Sequence, residues 1–260
     1  MITEIECPRF AITKPYSRLA AEYDATIGVP FFRQTRKSFE RLVRKYGIRF
    51  RSAADIGCGT GLFARYLNTD WKIPVIGVDI SPEMLRVAAR VCTGSSVRLL
   101  RQDIRCLRLP RPVDLITCNF DTLNHLVGDN DLQRAFRAIH GNMDRGGHLI
   151  FDMVMRCGPL GGAHRYVRRF CSTSRIVTQD VRWEPLRNLL SIVVSIRGRN
   201  TPRAIAEVHR ERAYSPAEIG RALRGAGFVL RGVHDAATLD LVTTCPPRIV
   251  VIAKKKSERG

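Results

Sequence analysis

Three glycines alternate behind an aspartate in Asp55-Ile56-Gly57-Cys58-Gly59-Thr60-Gly61. Ala53 and Ala54 lead into this run as the end of a buried strand, and Leu62, Phe63, Tyr66 and Leu67 leave it at helical spacing. A residue without Cβ takes positive φ at little cost and lets a ligand come close to its backbone. The unpartnered N–H groups that open a helix favour an anionic ligand group. Two more carboxylates recur in register: Asp79 closes the apolar run Pro74–Val78, and Asp103 follows Val97–Leu100. A carboxylate at such a strand end can accept both hydroxyls of a ribose. The chemistry on offer is a strand–turn–helix cradle for a nucleoside-like ligand.

The elements that hold these residues alternate along the chain. Phe31 to Tyr46 has a helical apolar stripe that ends near Gly47. After the glycine turn comes the strand Pro74–Asp79, then a helix started by Ser81 with Pro82 at its first position. Val97–Leu100 and Val113–Cys118 read as further strands, Leu132–Ile139 as a helix and His148–Val154 as a fifth strand. Strands alternating with helices make parallel βαβ units, with ligands outside the carboxyl ends of the strands. The expected fold is α/β, a Rossmann-like doubly wound sheet of seven strands.

Residues 155–213 break that rhythm. Tyr166–Cys171, Arg175–Trp183, Leu189–Ile196 and Ala204–Ala213 read as four successive strands, an antiparallel β flap inserted after the fifth strand. The α/β pattern resumes at the capping box Ser215-Pro216-Ala217-Glu218. Phe228–Val233 and Arg248–Ala253 close the sheet, the last strand antiparallel. Three regions follow: an N-terminal helical cap (1–47), a ligand-binding α/β domain (48–154 and 214–260) and the flap (155–213) as a substrate cover.

Composition sets outer bounds. A chain of 260 residues with 45% hydrophobic content can bury a large core. No apolar run approaches the roughly 18 residues of a membrane helix, and the first ten residues carry acids early, so a cytoplasmic protein without a membrane partner is expected. Eight cysteines lie scattered without zinc spacing or a disulfide framework; reduced thiols and no metal are expected. The formal charge of +19 is dispersed arginine, and between residues 165 and 212 eleven arginines face four acids. Such a balance speaks to association with phosphates, not to a reaction.

The glycine pattern separates two ligand classes. A dinucleotide fingerprint needs its third glycine where this chain has Leu62. The run Asp55-x-Gly57-x-Gly59-x-Gly61 instead resembles the first motif of class I S-adenosylmethionine-dependent methyltransferases. Val78-Asp79-Ile80-Ser81-Pro82-Glu83-Met84-Leu85, Gln102-Asp103-Ile104 and Asn119-Phe120-Asp121 match its later motifs. The resemblance covers roughly residues 50–155 and 215–253. With the flap and the Tyr23-Asp24 pair, it extends to the small-molecule branch of amino-sugar N-methyltransferases and glycine N-methyltransferase. It implies S-adenosylmethionine as cofactor. Asp55, Gly57, Cys58, Gly59 and Gly61 are expected at that cofactor from the loop, Asp79, Ile80 and Met84 from the second strand end. Asp103, Ile104, Asn119 and Phe120 are expected there from the next two.

The activity expected is methyl transfer to nitrogen or oxygen of a small molecule. The donor is already activated, so the protein mainly positions the acceptor and excludes water; a base is needed only for a protonated nucleophile. His125, just past the fourth strand, is the candidate base, and Tyr23 is a candidate to point its hydroxyl at the reacting methyl. Period-two alternation puts Glu207, His209 and Glu211 on one face of the last flap strand and Val208, Arg210 and Arg212 on the other. His209 and Arg212 are the candidate acceptor contacts. The alternatives are an RNA (tRNA or rRNA) methyltransferase, for which the +19 charge speaks, and a non-catalytic binder of the cofactor that regulates. Pairing of two copies into a homodimer is left open. An Asn-Pro-Pro-Tyr type motif and a cysteine pair for attack on a pyrimidine are both missing.

Overall fold

The computed structural model describes residues 11–156, 164–201 and 203–256. The first ten residues of the N-terminal cap and residues 157–163 of the insert lie outside them. The main sheet contains β2 (Ala53–Ile56), β3 (Val75–Asp79), β4 (Arg98–Arg101), β5 (Val113–Cys118), β6 (Met143–Val154), β11 (Phe228–Asp235) and β12 (Arg248–Lys255). Their order across the sheet is β11-β12-β6-β5-β2-β3-β4. Strands β2 to β6 pair in parallel, and β12 runs antiparallel to both β6 and β11.

Neighbouring residues on the central strands face opposite layers, because side chains alternate along a strand. Ile116 and Phe151 pack with Leu132, Phe136 and Ile139 of α4 (Asp131–Gly141) and Ile219 and Leu223 of α5 (Pro216–Gly225). Leu115 and Ile150 face the other way, onto Phe39 and Leu42 of α1 (Val29–Lys45) and Phe63 and Leu67 of α2 (Leu62–Thr69). Full burial of a side chain such as Phe136 contributes roughly 1.5–3 kcal/mol over leaving it exposed. This two-faced core is the reason the helices cover both sides of the sheet.

The expected start signals operate. The Ser81 side chain accepts the N–H of Met84 at 3.2 Å and caps α3 (Pro82–Val91), with Pro82 in its first turn. Ser215 and Glu218 form a reciprocal capping box on α5. From β2 the chain builds outward to β3 and β4, then returns to β5 on the other side of β2. That reversal opens a crevice at the carboxyl ends of the strands, the usual ligand position in such sheets.

The insert forms β7 (Arg165–Cys171), β8 (Arg175–Glu184), β9 (Leu189–Gly198) and β10 (Ala204–Arg212), all antiparallel neighbours. The N-terminal segment, expected as helical, also supplies a strand. Ala11–Thr13 is β1 and pairs in parallel with the open edge of β10, opposite Ile205–Glu207. An edge strand presents unpaired N–H and C=O groups, and β1 occupies them. Leu19 and Ile27 then pack on Val177, Val194 and Ile196, which welds this N-terminal strap to the flap.

One expectation about thiols is corrected. Cys245 is disulfide-bonded, and its partner is not among the described residues. The described cysteines Cys58, Cys92, Cys106, Cys118 and Cys171 are free.

Candidate active site

The glycine turn works by filling space that side chains cannot share. Gly57 sits at φ +70°, and a Cβ on it would lie 2.2 Å from Thr122 Oγ1. Gly59, at φ +53°, would place its Cβ in open space on the cavity side. The amides of Gly57, Cys58 and Gly59 are already engaged within the fold. Gly57 N and Cys58 N donate to Val78 O at 2.7 and 2.9 Å, and Gly59 N donates to Asp79 Oδ2 at 2.8 Å. Ser81 N donates to Asp79 Oδ1 at 2.8 Å. The loop therefore aims the Asp79 carboxylate, one donor fixing each oxygen. Burial pushes this carboxyl up from its ordinary value, against those hydrogen bonds.

Asp79 borders a cavity of about 670 Å³, within the range of small-molecule and cofactor sites. Gly57, Cys58, Gly59, Ile80, Met84, Asp103, Ile104 and Phe120 border it too, as do Tyr23 and His125. Three expected cofactor contacts stand back from it. Asp55 is buried behind the loop, accepts from Thr117 Oγ1 at 2.7 Å and is pushed up to about 7 by burial. Gly61, at φ +82°, packs against Ala88 and Cys92 and opens α2. Asn119 is buried, and its carbonyl accepts from Thr122 Oγ1 at 2.7 Å. These three shape the loop from behind. Asp103 is at the cavity but is gripped by Arg105, whose guanidinium holds its carboxyl below the usual range.

The strap closes the cavity from above, with Lys14, Pro15, Tyr16 and Ser17 in its wall. Asp24 hooks the strap to the glycine turn, accepting from Thr60 Oγ1 at 2.6 Å. Tyr16 gave no sequence signal, yet its hydroxyl lies 2.9 Å from His125 Nε2 and its ring stands edge-on to His209 at 4.6 Å. Tyr16, Tyr23 and Phe120 also border a second cavity of about 190 Å³ under the flap. His209 and Glu211 face into it from β10, beside Asp121 and Arg248.

The alternation read on β10 holds: Glu207, His209 and Glu211 are buried and Arg210 is exposed. Arg212 does not reach either cavity. Its guanidinium pairs with Asp129 at 3.2 Å and Glu218 at 3.3 Å and lies over the Tyr214 ring, because its alternation places it on the far face. Arg248 and Asp152 were missed in the sequence. Arg248 NH1 lies 2.6 Å from Asp121 and 3.0 Å from Asp152, bringing together strand ends 96 and 127 residues apart in the chain.

Burial dominates the electrostatics. It pushes the Tyr16 and Tyr23 phenols well above their ordinary value, so both keep their protons. Burial and the neighbouring His209 hold the His125 imidazole down to about 4, so at neutral pH it is uncharged. Among the described residues no cluster of His, Cys, Asp and Glu is arranged to hold a metal ion. No helix there is long and apolar enough to cross a membrane.

A mostly parallel sheet of this strand order, with its cofactor-sized crevice beside a glycine turn, matches the class I methyltransferase fold. Residues 53–147 match the family model described as a methyltransferase domain, and the chain contains that domain. It is 33% identical over 111 residues to dTDP-3-amino-3,6-dideoxy-alpha-D-glucopyranose N,N-dimethyltransferase of Streptomyces fradiae, covering 43% of this chain and 42% of that protein. It is 28% identical over 112 residues to dTDP-4-amino-2,3,4,6-tetradeoxy-D-glucose N,N-dimethyltransferase of Saccharopolyspora spinosa, covering 43% and 44%. The chain thus aligns with less than half the length of either relative. The similarity in structure is broader. An S-adenosylmethionine-dependent methyltransferase of Clostridium acetobutylicum superposes with a TM-score of 0.79 at 25% identity, over 93% of this chain and 99% of that one. The sugar N-methyltransferase KedS8 of a Streptoalloteichus species shares the fold, with a TM-score of 0.71 at 21% identity over 87% and 88%.

Proposed function

We propose that this protein uses S-adenosylmethionine to methylate the nitrogen of a small molecule, with the cofactor in the larger cavity and the acceptor under the flap. The observation that carries this reading is the shared wall: Tyr16, Tyr23 and Phe120 border both cavities, so groups held in the two meet across them. The residues present fit the cofactor. Asp79 offers an aligned carboxylate for a ribose, Gly59 offers a backbone without Cβ, and Met84 and Ile104 offer apolar contact for a base. The relatives named as amino-sugar dimethyltransferases support nitrogen as the acceptor atom.

When bound, S-adenosylmethionine supplies a methyl group on a sulfonium, which needs no further activation. The chain then has three tasks. Its strap, latched to Thr60 through Asp24, excludes water from the reacting atoms. Tyr23 and Phe120 orient the acceptor at the boundary between the cavities. Neutral His125 receives the acceptor's proton by way of the Tyr16 hydroxyl, which takes one proton as it gives another. In this reading residues 1–47 are the cap, 155–213 the acceptor cover, and the rest the cofactor domain.

The test is calorimetric titration with S-adenosylmethionine, followed by a methyl-transfer screen over amines, amino sugars and phenols read by mass. Binding with a mass gain of 14 per methyl on an amine (~14, one added CH₂) supports the reading. Absence of cofactor binding overturns it, and methylation of phenols alone moves the acceptor to oxygen.

A further inference from the structure

The second cavity contains a carboxylate that the proposed reaction has not used. Glu211 is only 7% exposed, and it borders the space under the flap. Among the described residues no hydrogen bond reaches its side-chain oxygens, and its one ion contact is His125 Nε2 at 3.8 Å, an imidazole that burial keeps uncharged. Arg248 attracts it, but that guanidinium is committed elsewhere. Its NH1 lies 2.6 Å from Asp121 and 3.0 Å from Asp152, and its NH2 donates to Asp121 at 2.7 Å. Two carboxylates already share that guanidinium. Arg168 also borders the cavity, with its guanidinium over the Tyr166 ring at 4.6 Å and its residue exposed.

A carboxylate buried without a partner is held toward its neutral form, and its ionisation there is strongly unfavourable unless a ligand supplies the counter-charge. Here the omission occurs in a chain of formal charge +19, where a cation would be easy to place. Val181, Leu190, Ile192 and Val194 give this cavity one apolar side. Such a space accepts a small body with one positive end.

We propose that the Glu211 carboxylate is the counter-ion for a protonated amine in the cavity under the flap. That this amine is the methyl acceptor rests on the function proposed above; the binding site itself does not. An alcohol of the same shape would leave the carboxylate unpaired, so Glu211 selects amine over hydroxyl. It is a specificity residue for the acceptor, separate from the Tyr16–His125 pair.

The experiment has two readouts. The first compares melting of ligand-free wild type and Glu211→Gln between pH 5 and 8. Asp121, Asp152, Arg248, His125, Tyr16 and Tyr23 face this carboxyl, and burial with the repulsion of Asp121 pushes it well up. A raised carboxyl makes the folded state lose stability as pH rises, so the variant should melt higher than wild type at pH 8, with the gap closing toward pH 5. A variant that melts lower at pH 8 overturns the proposal, since Glu211 would then be a structural partner. The second readout needs no variant. Cyclohexylammonium should bind wild type at least ~10-fold more tightly than cyclohexanol by calorimetry, and Glu211→Gln should erase the difference. Equal binding of the two probes by wild type, or an undiminished preference in the variant, overturns the proposal. S-adenosylhomocysteine titrated in parallel separates the two readings. Its failure to bind strikes the methyltransferase function and leaves the amine result standing.

Discussion

The buried carboxylate of Glu207 accepts the backbone N–H of Tyr16 at 2.7 Å, across 191 residues of chain. Its other oxygen accepts from Arg18 N at 2.5 Å and Leu19 N at 3.0 Å, and His209 Nε2 lies 3.0 Å from the first. Burial pushes this carboxyl up, but the hydrogen bonds outweigh it and hold it below its ordinary value. One side chain of the flap thus ties down the strap over the larger cavity, and the covers of the two cavities are joined.

Glu207→Gln should loosen that joint. An amide keeps one accepting oxygen, so one of the two sets of N–H donors loses its partner, at about 1–3 kcal/mol. Deuterium uptake over residues 14–20 should rise clearly more than uptake in β5 or β6. Uptake equal to wild type in the strap would mean that the apolar contacts of Leu19 and Ile27 hold it alone.

Asp79→Ala removes the carboxylate that the glycine turn aims into the cavity. Calorimetry should find no measurable affinity for S-adenosylmethionine. Wild-type affinity in this variant would place the ribose elsewhere.

His125→Ala should leave cofactor affinity near wild type and slow turnover by roughly 10²–10⁴-fold, the usual contribution of a proton-transfer group. It should also change the response of stability to acid. The folded imidazole is held to about 4, below the ordinary 6.5, so the unfolded chain takes up the proton first. Stability from this depression is complete above pH 6.5 and falls away toward pH 4. His148 and His234 are shifted in the same direction, so the variant should flatten the acid slope without abolishing it. A slope identical to wild type in denaturant titrations would contradict the assignment.

Gly57→Ala meets two obstacles, a backbone at φ +70° and a Cβ 2.2 Å from Thr122 Oγ1. The strained backbone alone costs of order 1–3 kcal/mol. The midpoint of urea unfolding should drop accordingly. Gly59→Ala, with open space around its Cβ, should lose less stability and more cofactor affinity.

RNA offers a check on the charge. Three of the flap arginines already have carboxylate partners on the surface, Arg165 and Arg182 on Asp180 and Arg175 on Glu22. Bulk tRNA should therefore bind weakly and be released as salt approaches physiological strength. Tight binding that persists there would revive a nucleic-acid substrate.

Local features were legible in the sequence because their physics is local. The glycine turn, the carboxylates at the ends of β3 and β4, the Ser81 cap and the Ser215 capping box each act within a few residues. The strands of the flap could be read from period-two patterning, and the buried face of β10 came with them. What the pattern left hidden was every relation between distant segments. Nothing near Tyr16 announces that it meets His125, 109 residues away, or that Glu207 will hold its backbone. Asp55 looked like a ligand contact from its place in the motif, but the turn folds over it and turns its carboxylate to Thr117. Arg248 and Asp121 stand 127 residues apart, and only the packing of β12 against β6 makes them neighbours. The glycine-turn cradle is a property of short spacing; the cavity under the flap, bordered by Glu211, exists because the flap, strap and sheet close on one another.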